Sequence, residues 1–99
     1  MSSNIKFIAN KIGITEFPDN WKGIDAVLPI LEKMKDEGAV IVVKFDGQRT
    51  GEGDNGPYTI VVSGQPLGDD FIRIDSEKLE DGLSHVIVEY SEKCWDVQK

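Results

Sequence analysis

Residues 38–64, GAVIVVKFDGQRTGEGDNGPYTIVVSG, decide how the rest of the chain is arranged. Val40, Ile41, Val42, Val43 and Phe45 form a short β-branched and aromatic run broken only by Lys44, with Gly38 and Asp46-Gly47 as its bounds. Such a run reads as a strand, Ala39 to Phe45, buried on most of its surface. Tyr58-Thr59-Ile60-Val61-Val62 reads as a second strand, set between Gly56-Pro57 and Ser63-Gly64. The two make the central hairpin of a sheet. They are joined by a loop of twelve residues, Asp46 to Pro57, with Gly47, Gly51, Gly53 and Gly56 in it.

Upstream of the hairpin, Ile24, Val27, Leu28, Leu31 and Met34 fall on one stripe, so the spacing predicts a helix over about 24–37 with Gly38 as its stop. Pro29 conflicts with that helix. Inside it, a proline costs about 3 kcal/mol, less if Asp25 is the N-cap; the other arrangement is a kinked helix that begins near Asn20. Ile5, Ile8 and Ile12 suit a short N-terminal helix capped by Ser3 or Asn4 and stopped by Gly13, although Ile5 and Phe7 also alternate as an edge strand would. Pro18, Asp19 and Asn20 are turn residues, and Phe17 and Trp21 are expected to anchor that turn in the core.

Downstream, Phe71 to Ile74 reads as a third strand. The segment from Asp75 to Gly82 has room for one helical turn, capped by Ser76 and ended by Gly82. In Leu83 to Tyr90, alternation sets Val86, Val88 and Tyr90 against His85, Ile87 and Glu89, so this is read as a fourth strand. The expectation is an α+β fold in one domain, residues 1–99: a four-stranded, mostly antiparallel sheet, one main helix on one of its faces, and a short N-terminal helix or strand.

The chain has 99 residues, enough for one modest core. No apolar run approaches the roughly 20 residues that span a bilayer. The N-terminus lacks the pattern of a secretory signal, and Cys94 is alone, so a reducing cytoplasmic setting is expected. The net charge is −7. Residues 1–49 carry seven acids and seven bases, so the whole excess lies in residues 50–99, which hold eleven acids and four bases. That field repels nucleic acid and anionic membranes and attracts basic surfaces.

Gly51-Glu52-Gly53-Asp54-Asn55-Gly56 matches a dinucleotide-binding glycine pattern in letters alone. A proline and a strand follow it where the motif needs a helix, and two carboxylates would face the phosphates. Asp46, Glu52, Asp54 and Asn55 offer oxygen ligands, but not at the spacing of an EF-hand loop, so no metal or cofactor is expected. His85 is the only histidine. On a strand it would lie about 13 Å from Glu89, too far for a partnership. With no nucleophile and base in sequence reach, no enzyme is expected.

The segment from Asp69 to Asp81 is the most informative locally. Asp69, Asp70, Asp75, Glu77, Glu80 and Asp81 stand there against Arg73 and Lys78. Pinned to the sheet by Phe71, Ile72 and Ile74, these acids would form an ordered edge; Glu52 and Asp54 from the loop would add to it, and Trp95 would supply an aromatic anchor. In its size, its charge and this acidic segment, the chain resembles the immunity proteins of contact-dependent growth inhibition and related polymorphic toxin systems. The resemblance covers overall character and no residue motif. It implies an inhibitor that covers a basic toxin, such as a nuclease, with acidic groups. Reversing Asp69, Asp70, Glu80 and Asp81 to lysine is expected to leave folding intact and weaken binding more than about tenfold. The alternative is a ligand-binding domain or enzyme with its site beneath Arg49 and Thr50 in the glycine-rich loop 46–57. A third is an accessory subunit with a large exposed apolar patch.

Overall fold

A computed structural model describes residues 2–14, 17, 21–48 and 56–95, with the backbone alone for residues 2–4. The fold is α+β. Helices α1 (Ser2–Lys11) and α2 (Ile24–Asp36) precede strands β1 (Ala39–Phe45), β2 (Tyr58–Gly64) and β3 (Ile72–Ser76), and α3 (Leu79–Tyr90) follows, continued by a π-helical turn, Ser91–Trp95. The sheet is antiparallel in the order β1-β2-β3. Register sets Ile41 opposite Val62 and Val43 opposite Ile60; Ile60 then pairs with Ile74, and Val62 with Ile72. These residues share one face, and the helices cover it. Val40 and Val42 point the other way and are exposed.

The hairpin forms as the sequence predicts, and Asp46 N–H closes it by donating to Pro57 O at 2.8 Å. β1, however, is an edge strand with Val40, Val42, Lys44 and Phe45 exposed, not buried on most of its surface, because the helices cover one face of the sheet only. The third strand lies two residues later than expected at its far end. There is no fourth strand among the described residues: Leu83–Tyr90 belongs to α3. Alternation over 86, 88 and 90 is real, but Leu79, Leu83, Val86, Ile87 and Tyr90 also recur at helical spacing, and of these Leu83, Val86, Ile87 and Tyr90 are fully buried. Gly82 does not end a helix. It lies within α3, where a Cβ would stand 2.8 Å from Ile60 Cδ1 and 3.3 Å from Ser76 Cβ, so its bare backbone lets α3 press against the sheet. Ser76 is not the helix cap either; its Oγ accepts from Lys78 N–H at 3.3 Å and donates to Lys78 O at 2.7 Å, shaping the turn before α3.

The N-terminal segment is a helix and not an edge strand. Ser3 and Asn4 lie inside it, and Gly13 follows it at φ 96°. Ile5, Ile8 and Ala9 enter the core. Phe17 and Trp21 are buried with ring centroids 6.0 Å apart, as the sequence led us to expect. The turn residues Pro18, Asp19 and Asn20 lie outside the described residues. In α2, Val27, Ile30, Leu31 and Met34 are buried, and Leu28 is exposed.

Gly23, not Asp25, is the N-cap of α2, so Pro29 sits inside the helix, past its first turn. Both Pro29 and Asp25, whose carbonyl loses its i+4 donor to that proline, are exposed, so water reaches the carbonyl. Gly23 brings no capping side chain. Its N–H instead donates to Glu80 Oε2 on α3 at 2.8 Å. At the opposite end, Glu37 just past α2 accepts from Tyr90 O–H at 2.8 Å and from Trp95 Nε1–H at 2.8 Å and 2.9 Å to its two oxygens. Carboxylates thus fasten α2 to α3 at both ends.

Candidate functional site

A groove of about 640 Å³ opens where the outer edge of β3 meets α3. Ile74, Asp75 and Ser76 form the strand side; Asp81, Ser84, His85, Val88, Glu89 and Glu92, with Lys93 beyond, form the helix side. The helix side follows from spacing: 81, 84, 85, 88, 89 and 92 differ by three, one, three, one and three, so they share one stripe of the helix surface. That stripe stands beside the buried one and looks out past the edge of the sheet. Gly82 lies against Ser76 at one end, and Lys93 Nζ reaches Asp70 Oδ2 at 3.4 Å at the other, so α3 runs back along β3.

On the helix side, the carboxylates of Asp81, Glu89 and Glu92 stand at this groove against Lys93; Asp75 borders it from β3, with its side chain turned to the sheet face opposite Ile74. Asp75 accepts from Thr59 Oγ1–H at 2.6 Å and lies 3.5 Å from Arg73. His85 Nε2 and Glu89 Oε1 are 3.1 Å apart, which corrects the 13 Å separation expected on a strand; on a helix, residues four apart are neighbours. At the groove wall, Ser84 is 2 % exposed, and its Oγ has no hydrogen-bond partner.

The sequence-predicted residues do not all gather here. Asp81 lines the groove and Asp75 borders it. Asp69 and Asp70 are exposed in the turn before β3, where the Phe71 N–H and then Lys93 hold the Asp70 carboxyl below its ordinary range. Glu77 is exposed in the turn before α3. Glu80 points elsewhere: the Gly23 N–H, together with its own, holds its carboxyl low as a cap on α2. Its reversal to lysine would therefore disturb the fold, contrary to the expectation from sequence. Trp95 is engaged by Glu37 and stacks edge-on against Tyr90 at 5.1 Å, away from the carboxylates of the groove. Glu52 and Asp54, the glycine pattern 51–56 except Gly56, the oxygen ligands of that loop other than Asp46, and the region of Arg49 and Thr50 lie outside the described residues.

The sequence reading missed Ser84, Glu89 and Glu92. A strand would have split them between two faces; the helical recurrence from Leu79 to Tyr90 is the signal that unites them. Among the described residues, no three metal-ligating side chains are gathered, and no helix is long and apolar enough to cross a membrane. Comparison with protein families, with characterised proteins and with solved structures finds no match.

Proposed function

We propose that this chain binds a basic protein partner through the groove between β3 and α3, and that it inhibits that partner by covering its basic surface, as an immunity protein covers a toxin. The carrying observation is the row Asp81, Glu89 and Glu92, held on one stripe of a helix whose other stripe is packed in the core. Carboxylates fixed by a folded helix keep their spacing, so little side-chain order is lost when a cationic surface arrives. The excess of acids in the second half of the chain adds a long-range field that speeds encounter.

Capture from lysate of the source organism tests this reading. Wild-type protein is immobilised at low salt and again at high salt, and what it retains is identified by mass spectrometry. The expected result is one basic protein in stoichiometric amount, captured more slowly as salt rises. Retention of no protein, with a small molecule co-purifying instead, would contradict it.

A further inference from the structure

We infer that the partner enters this groove as an extended segment that adds to the outer edge of β3 as a new strand, with basic side chains four residues apart and a threonine or serine midway, whose hydroxyl meets that of Ser84. This inference rests on the proposed function and specifies how the same groove is filled.

The backbone pattern supplies the first argument. Asp46 and Pro57 are a bonded pair, and bonded pairs alternate along an antiparallel ladder. Hence Thr59, Val61 and Ser63 bond towards β1, and Tyr58, Ile60 and Val62 bond towards Ser76, Ile74 and Ile72. The N–H and C=O of Arg73 therefore point outward, and among the described residues no strand pairs with that edge. An exposed edge is a template for strand addition unless charge, proline or a bulge guards it; the two charges on this edge, Arg73 and Asp75, lie 3.5 Å apart and offset each other.

Spacing supplies the second argument. Asp81 and Glu89 are eight residues apart on α3, about 12 Å along a helix that runs beside the strand. On an added strand, residues i and i+4 are about 13 Å apart and point to the same side. Two lysines or arginines at those positions meet Asp81 and Glu89, and residue i+2 falls opposite Val88 and Ser84. The Ser84 hydroxyl is the independent sign of a ligand. It is buried, it lines the groove, and it has no partner in the protein. Buried hydroxyls are nearly always bonded, so a group that enters the groove supplies what is missing.

The test uses the full chain and a defined probe. The peptide acetyl-Thr-Lys-Thr-Thr-Thr-Lys-Thr-amide is titrated into isotopically labelled protein and followed by NMR. A second peptide of the same composition, with its lysines adjacent, is the control. The first is expected to bind at least about fivefold more tightly. It should also shift the backbone signals of β3 and slow exchange of the Arg73 amide, with cross-strand contacts to the peptide backbone.

Arg73→Pro should abolish this binding and Arg73→Ala should preserve it, because a proline at an outward position removes only the edge donor. Should the proline variant not fold, Ser84→Ala serves instead: it is expected to leave stability unchanged or raised and to weaken the peptide at least about threefold. Equal binding of both peptides, unchanged binding by Arg73→Pro, or no binding up to about 1 mM would overturn strand addition. Each of those results leaves capture of a basic protein standing as a separate finding, so the two readings fail separately.

Discussion

Glu37 shows how a single carboxylate does structural work at the end of a helix. Burial alone would raise its carboxyl, but the hydrogen bonds from Tyr90 and Trp95, with Lys33 at 3.3 Å, together hold it below its ordinary range. The same contact, after burial itself, pushes the Tyr90 phenol well up, so that group stays a donor. A carboxyl whose folded value is depressed stabilises fully above its unfolded value, about pH 4.3, and loses that contribution as pH falls through the folded value. Glu37→Gln should therefore lower stability by about 1 kcal/mol near pH 7, a modest figure because the side chain is about one-third exposed. Urea melts of both proteins from pH 7 to pH 3 should converge at the acid end. A constant difference across that range would show that shape, not charge, makes the contact.

At the scale of elements, the proline in α2 and the sequence of α3 carry opposite lessons. Pro29 removes a hydrogen bond well inside α2, yet the helix persists because Val27, Ile30, Leu31 and Met34 are buried on its other side. Pro29→Ala should stabilise the protein by about 1–3 kcal/mol, read as a higher urea midpoint with an unchanged slope; no gain would mean that the exposed Asp25 carbonyl already recovers the loss from water. The apolar stripe of α2 was legible despite the proline, as were β1 and most of β2, because their runs are long and bounded by glycine. The segment 79–90 was not. Val86-Ile87-Val88 has strand propensity and a local alternation, while the helical signal extends back through Gly82 to Leu79, and glycine there looked like an end. Packing decided the matter: only a helix buries Leu83, Val86, Ile87 and Tyr90 together, and the close approach to Ile60 and Ser76 accounts for the glycine.

For the whole molecule, charge was legible and its arrangement was not. The acidic bias of the second half follows from counting residues, and Asp75 and Asp81 were named from the sequence. The groove itself needed the register of β3, the direction of α3 and the helical state of residues 83–90, none of which charge reveals. Once α3 is a helix, Glu89 and Glu92 join Asp81 on one stripe, while Glu80, one residue before Asp81, turns away to cap α2. The central claim is that the position of these carboxylates, not the net charge alone, holds the partner.

The most direct measurement compares two double variants with equal charge change: Glu89→Lys with Glu92→Lys in the groove, and Glu32→Lys with Asp36→Lys on the exposed side of α2. Affinity for the captured basic partner is measured by calorimetry at one salt concentration. The account predicts a loss of roughly tenfold or more for the groove pair and less than about threefold for the α2 pair. Equal losses would contradict it, because net charge would then explain the binding and the groove would have no special part in it.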